Sequence, residues 1–463
     1  MLSTREKGAG AIGRTRGFVI SLLLLSARIA IPGHAELLPY TNIISAPLSR
    51  VEAINLGLRQ NPNILKAEKD LAASQGIAIQ TRAIAIPKVR VAGSYSAIQP
   101  SDVDKPSNVP GFSFGTDQSW GSQIRLVQSL YEGGRIVSSV RTARLIKEQA
   151  VLNYQTVVAD TVLEIQITYD NVLLAEQQIK VQEASVELRT RELADTSRRF
   201  EAGTVPRFNV LRSEVELANA RPALIRTRNR FRIAKNNLAN LLGFNIPVGT
   251  IEDIPLQLTG RLHAEPYEIE LTRAIELGLQ RRTELGSLKK ALALRKEDIA
   301  NARAGYKPSL QAFAGYDAHS SLFSPDLTRE VHGWITGVQL SWELFDGGLT
   351  MGRMKETIAL YERAAVELED MGRRIELDVR TAYSNFIESR ELLESQKKVV
   401  EQAEEAVRLA RARNETGTGT QLDELSAQTS LTEALTTQNL ALHDYSVAKA
   451  RLERATGASL PGQ

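Results

Sequence analysis

Apolar residues recur at every seventh position over long stretches of this chain. Val151, Val158, Ile165, Val172, Ile179, Val186, Leu193 and Phe200 hold one phase, and Val379, Phe386, Leu393, Val400 and Val407 hold another. A third set is Val210, Leu217, Leu224, Phe231 and Leu238. A seven-residue repeat keeps one stripe of a helix against its neighbour and means left-handed coiled-coil packing. A helix from Gly134 to Phe200 would be about 100 Å long at ~1.5 Å per residue, far beyond what a globular core requires. Pro222 interrupts the third stretch and predicts a kink or break there.

Between these stretches the period drops to two. Val89, Val91, Gly93, Tyr95 and Ala97 alternate with Lys88, Arg90, Ser94 and Ser96, and Ile124, Leu126 and Leu130 oppose Gln123 and Arg125. Further on, Leu310, Ala312, Ala314 and Tyr316 alternate with Gln311 and Asp317. Trp334, Val338, Leu340, Trp342 and Leu344 then alternate with Gly337, Gln339, Ser341 and Glu343. One apolar face per segment predicts strands at about 88–98, 119–131, 308–318 and 333–345. Pro100, Pro106, Pro110 and Pro325 mark the connections as exposed loops. A single helix before the first strand is expected to open at the capping box Ser49-x-x-Glu52 and end before Pro87.

The same order of patterns occurs twice. Val51 to Leu58 matches Thr272 to Leu279 at an offset of 221, which also pairs Arg82 with Arg303, Pro87 with Pro308 and Tyr95 with Tyr316. Leu130-Tyr131-Glu132-Gly133-Gly134 matches Leu344-Phe345-Asp346-Gly347-Gly348 at an offset of 214, which also pairs Trp120 with Trp334, Tyr169 with Tyr383 and Gly243 with Gly457. One loop differing by seven residues accounts for the change. The chain therefore reads as residues 1–35, a first module at 36–250 and a second at 251–463. Each module runs helix, strand, strand, very long helix, tight turn, helix, so the fold class is mainly α with a β-barrel.

Residues 1–35 have the layout of a secretory signal. Arg5, Lys7, Arg14 and Arg16 precede an apolar run from Phe18 to Ala27, and Pro32-Gly33-His34-Ala35 supplies small residues for cleavage. The full chain carries 57 basic and 54 acidic residues, whereas the segment after Ala35 carries 52 and 53. The basic excess thus belongs to the signal, and a nucleic-acid partner loses its support. Gly8 to Gly13 fits a dinucleotide fingerprint but lacks the flanking strand and helix that such a loop needs. The absence of cysteine excludes disulfides, thiolate metal sites and a cysteine nucleophile.

Aromatic residues gather on the strands: residues 87–131 and 306–346 hold 12 of the 25, including all three Trp. Soluble hairpins packed on helices would fit this pattern. Strands of about 9–11 residues with an apolar outer face, a polar inner face and aromatic ends also fit a membrane barrel. Four strands cannot close alone, because both sheet edges would leave backbone groups unpaired in hydrocarbon. A barrel would need copies of the chain and membrane lipid around it.

The duplication, the Leu-Phe-Asp-Gly-Gly run at Leu344 with its twin at Leu130, and two helix–turn–helix tips resemble the TolC-like outer-membrane efflux protein family. The tips are Phe200-Glu201-Ala202-Gly203-Thr204-Val205-Pro206 and Asn414-Glu415-Thr416-Gly417-Thr418-Gly419-Thr420. The resemblance covers about residues 45–460. It implies a homotrimer whose twelve strands form one outer-membrane β-barrel and whose twelve long helices form a periplasmic α-barrel. It implies docking on a periplasmic adaptor (membrane fusion protein) and an inner-membrane transporter; from the residues themselves no cofactor and no catalysis are expected. Gly203, Thr204, Val205, Gly417, Thr418 and Gly419 fall on the adaptor-docking tips, and Gly133, Gly134, Gly347 and Gly348 on the strand–helix junctions.

The family narrows its periplasmic mouth with acidic residues after the second tip. Asp423 falls on the first such position, the second aligns with Ser426, and Glu424 can supply part of that charge. A basic residue that helps hold the mouth shut aligns with Gly419, its tyrosine partner with Asn414, and the carboxylate they address with Asn209. Thr420-x-x-Asp423 reads equally well as a capping box. His319 and His332, near Asp317 and Asp326, are read as solvated loop residues rather than metal ligands, and no Ser/His/Asp set or carboxylate pair stands out. The expected function is an outer-membrane exit duct. The alternative is a soluble periplasmic coiled-coil adaptor or scaffold, which would show one hairpin flanked by β-rich domains.

Overall fold

A computed structural model of the chain describes residues 47–99, 116–244, 254–321 and 326–458. The signal segment and Pro100, Pro106, Pro110 and Pro325 lie outside these residues. In order, the elements are α1 (Arg50–Gln60), α2 (Pro62–Arg82), β1 (Lys88–Ala97), β2 (Gln118–Glu132), α3 (Arg135–Glu201) and α4 (Arg207–Leu241). They are followed by α5 (Leu271–Arg281), α6 (Thr283–Arg303), β3 (Ser309–Ser320), β4 (Glu330–Ser341), α7 (Leu349–Glu415) and α8 (Gln421–Ala455). The helix lengths run 11, 21, 67 and 35 residues in each half.

The capping box at Ser49 forms, with the Glu52 amide donating to Ser49 Oγ at 3.3 Å and the Ser49 amide to Glu52 Oε2 at 2.8 Å. The expected single helix before β1 is instead two. Asn61 is extended and ends α1, and Pro62 then sits at the start of α2, where its missing N–H costs nothing. Asn61 Oδ1 accepts from the amides of Asn63 and Ile64, and its Nδ2 donates to Leu241 O at 2.6 Å. A second correction concerns Pro222: α4 is continuous through it. Packing of α4 along α3 outweighs the lost backbone bond.

The long helices pair as α3 with α4 and α7 with α8. The heptad residues lie between them: Ile165, Val172, Leu217, Leu238, Val379, Phe386, Leu393 and Val400 are all buried. The densest packing is at mid-length. There Ala53, Ile165, Tyr169, Leu173, Leu238 and Leu242 form one core, and Phe386, Tyr445 and Leu452 form another. Gly57 is required there, since a Cβ on it would collide with Ile165 Cδ1. Its counterpart Gly278 meets Val379 Cγ2 at 3.0 Å in the same way.

The strands form one antiparallel sheet in the order β1-β2-β3-β4. Three strands have both ends within two residues of expectation. The fourth does not, since β4 ends at Ser341, so Trp342, Leu344 and Phe345 lie past the strand. The pairing of β2 with β3 also shifts between Ser129 and Tyr131. This bulge at Leu130 breaks the alternation expected there, and Tyr131 pairs with Leu310 in its place. His319 and His332 belong to β3 and β4 rather than to a loop. His332 packs on Tyr316 with ring centroids 6.0 Å apart.

Candidate functional site

The sheet keeps its apolar face in the open. Val91, Ile124, Tyr316 and Trp334 make one continuous row across the four strands, and Val89, Leu126, Ala314 and Thr336 make the next. Val91 is 71% exposed and Trp334 82%. Leaving such a row in water loses on the order of 1.5–3 kcal/mol per large side chain relative to burial. The opposite face carries Arg90, Arg125, Gln123 and Asp317, with Gln123 Nε2 donating to Asp317 Oδ1 at 2.8 Å. Both sheet edges, β1 and β4, have no strand partner among the described residues.

At the strand–helix junctions Gly134 and Gly348 are the N-caps of α3 and α7. Their φ values of 103° and 89°, after 64° at Gly133 and 68° at Gly347, turn the chain from strand to helix as only glycine does without strain. The Asp346 carboxylate completes the second junction, accepting from the amides of Gly348 at 3.0 Å and Thr350 at 2.7 Å.

The two tips share one hydrogen-bond pattern. The Gly203 amide donates to Phe200 O and the Thr204 amide to Arg199 O; the Gly417 amide donates to Asn414 O and the Thr418 amide to Arg413 O. Gly203, Thr204, Gly417 and Thr418 are exposed, and Val205 and Gly419 partly so. A Cβ on Gly419 would lie 2.9 Å from Arg413 Cβ, so a larger residue there needs the turn to shift.

Beyond the second tip, Asp423 forms the capping box with Thr420. The Thr420 amide donates to Asp423 Oδ2 at 3.0 Å, and the Asp423 amide to Thr420 Oγ1 at 3.2 Å. The Thr420 amide and hydroxyl hold the Asp423 carboxyl below its usual range. Glu424 is gathered inward, accepting from Asn414 Nδ2 at 2.6 Å and from Gln428 Nε2 at 3.2 Å. Asn414 thus serves Glu424 within its own hairpin.

Sequence reasoning missed a set of polar ties between the hairpins. Gln421 Nε2 reaches Thr196 Oγ1 at 3.1 Å and Ser213 Oγ at 3.3 Å, and Arg189 donates to Thr429 Oγ1 at 2.9 Å. Arg189, Thr196, Ser213 and Gln428 are all buried. Glu192 pairs with Arg189 at 3.3 Å. Burial pushes its carboxyl above the usual range, against the pull of Arg189. The signal was available as polar residues at heptad spacing: Arg189 with Thr196, and Gln421 with Gln428. Nearer mid-length, Arg454 of α8 donates to Asp160 of α3 at 2.8 Å and to Glu284 of α6 at 2.6 Å. Burial raises the Glu284 carboxyl, but Arg282 and Arg454 outweigh it and bring the group to about 2.

The profile of the outer membrane efflux protein family matches residues 53–244 and again 274–458. The chain belongs to this family. Among its relatives, the alkaline protease secretion protein AprF of Pseudomonas aeruginosa is 24% identical over 416 residues, covering 89% of this chain and 84% of that protein. The outer membrane protein TolC of Vibrio cholerae is 23% identical over 411 residues, covering 88% and 90%. In fold the chain is similar to the Campylobacter jejuni CmeC outer membrane channel, with a TM-score of 0.76, 16% identity and coverage of 89% and 86%. It is similar likewise to the outer-membrane channel OprN, at 0.73, 19%, 88% and 90%. This chain has long paired helices and a four-stranded sheet. The single hairpin and β-rich flanks of an adaptor are not its architecture.

Proposed function

We propose that this chain is the outer-membrane exit duct of an efflux or secretion system, a passive conduit without catalytic activity. The observation that carries the reading is the sheet, apolar on an exposed face and open at both edges. Neither property suits a monomer in water. Both are satisfied if three copies close twelve strands into one barrel with the apolar face on lipid. The helices pose the same demand: Phe208, Leu211, Val215 and Ile225 on α4 and Val366, Leu377 and Leu409 on α7 are exposed along the hairpins. Neighbouring copies would cover them in a twelve-helix tube of about 100 Å.

The tips at Gly203, Thr204, Val205, Gly417, Thr418 and Gly419 are the surfaces offered to a periplasmic adaptor, through which an inner-membrane transporter delivers cargo. A threefold axis would gather three Asp423 carboxylates at the narrow end, with Glu424 behind them, and concentrate cations there. Asp423 serves in the capping box at the same time, since its second role needs only its charge. The modules at 36–250 and 251–463 are the units whose helical hairpins alternate around the tube.

Fractionation and native mass in mild detergent test this reading. A trimer in the outer membrane is expected, and a soluble periplasmic monomer would overturn it.

A further inference from the structure

One face of the sheet places two arginines directly opposite each other. Arg90 of β1 and Arg125 of β2 are register partners, and Lys88 lies two residues before Arg90 on the same face. Like charges directly opposite on a sheet are destabilising. Neither arginine has an ion pair among the described residues. The carboxylate nearest in register, Asp317, is already engaged by Gln123. Arg125 lies over an aromatic ring: its guanidinium is 5.0 Å from the Phe313 ring centroid. Its Nε is buried with no acceptor. A guanidinium set over an aromatic ring, with a second guanidinium directly across the strand pair and no carboxylate paired to either, is arranged to receive an anion.

Resting on the duct reading, we propose that Arg90 and Arg125 form an anion-binding belt on the inner wall of the barrel, taking carboxylate or phosphate groups of passing cargo. Three copies place six guanidiniums around one level of the lumen, with three Lys88 ammoniums beside them. Asp317 offsets three of these nine charges, leaving an excess of positive potential. The duct then has an acidic section at Asp423 and a basic one inside the barrel. The basic section sets the preference of the membrane-spanning part.

The test is single-channel recording of the full-length trimer in planar bilayers under a KCl gradient, with inorganic phosphate as the probe. R90Q/R125Q should raise the potassium-to-chloride permeability ratio several-fold and abolish current block by phosphate added from the barrel side. R90K/R125K should retain the selectivity and lose most of the phosphate block, because Lys lacks the planar fork. D317N should move selectivity the opposite way, toward chloride. The single variant R90Q, at an exposed position, serves if the double variant fails to assemble. Unchanged selectivity and block in assembled R90Q or R90Q/R125Q channels would overturn the belt while leaving the duct intact. A soluble periplasmic monomer in place of an outer-membrane trimer would overturn both.

Discussion

The two ends of this molecule solve opposite problems with the same twenty side chains. At the sheet, apolar residues point outward and charged ones are kept to the other face: Val91 and Ile124 against Arg90 and Arg125. At the hairpin tips polar residues are buried instead, with Arg189, Thr196, Ser213 and Gln428 filling the space between the helix pairs. The difference follows from the solvent. In hydrocarbon the outside of a sheet gains nothing from polarity, and its backbone must be paired with more strands. In water, between two long hairpins, an apolar seam is the cheapest way to associate, and its replacement by hydrogen bonds gives an interface that specific changes can loosen. Mid-length lies between these extremes, with dense apolar cores crossed by the Arg454, Glu284 and Asp160 cluster.

The strongest way to break this comparison is a charge on the lipid face. Val91→Arg should cost about 2–4 kcal/mol if the residue sits near the bilayer midplane, whereas Ala92→Arg on the other face should be tolerated. Leu340→Arg should cost less than Val91→Arg, because Leu340 is one residue from the end of β4. Trimer yield in mild detergent measures all three, and equal tolerance at Val91 and Ala92 would refute the facing.

Next in size is the mid-length cluster. Arg454→Ala leaves the partly buried Glu284 carboxylate with Arg282 as its remaining ion-pair partner, and should cost up to about 3 kcal/mol. Glu284 is depressed on folding, so its stabilisation is present above about 4.5, its ordinary value, and is lost as the pH falls toward about 2. In Glu284→Gln that acid-side loss should shrink, as read by melting temperature against pH.

The hairpin ties have the opposite sign. Glu192 is raised on folding, so its contribution is fully present below 4.5 and lost as pH rises through the raised value. Glu192→Gln should therefore stabilise the tip region at neutral pH and change little at pH 4. Hydrogen exchange at the ends of α3 and α8 reads this locally. A variant protected no better than wild type at neutral pH would remove the proposed burial effect.

The smallest effects separate the two roles of Asp423. Thr420→Ala should cost about 1 kcal/mol of helix stability while sparing cation block from the periplasmic side. Asp423→Ala should reduce that block, and Glu424→Ala should reduce it less. Indistinguishable block in wild type and Asp423→Ala would leave Asp423 as a helix cap alone.

Much of this architecture was legible along the chain. A period of seven gave the helix pairs at Ile165, Val172, Val379 and Phe386, a period of two gave all four strands, and matching glycines marked the junctions and tips. These are repeating local signals, summed over many residues, and they survive folding because each element is long. What the chain did not display was set by single contacts. The break at Asn61 depends on its side chain reaching Leu241, 180 residues away, and the continuity of α4 through Pro222 on packing against α3. The bulge at Leu130 exists only relative to β3, and the facing of Arg90 and Arg125 only through the register of β1 with β2. Likewise the polar ties of Gln421 and Arg189 join residues more than 200 positions apart. Sequence by itself determined the periods and the order of elements, because those are carried by near neighbours. Tertiary structure alone decided register, helix breaks and the pairing of buried polar groups, because each depends on which distant atom supplies the missing hydrogen bond.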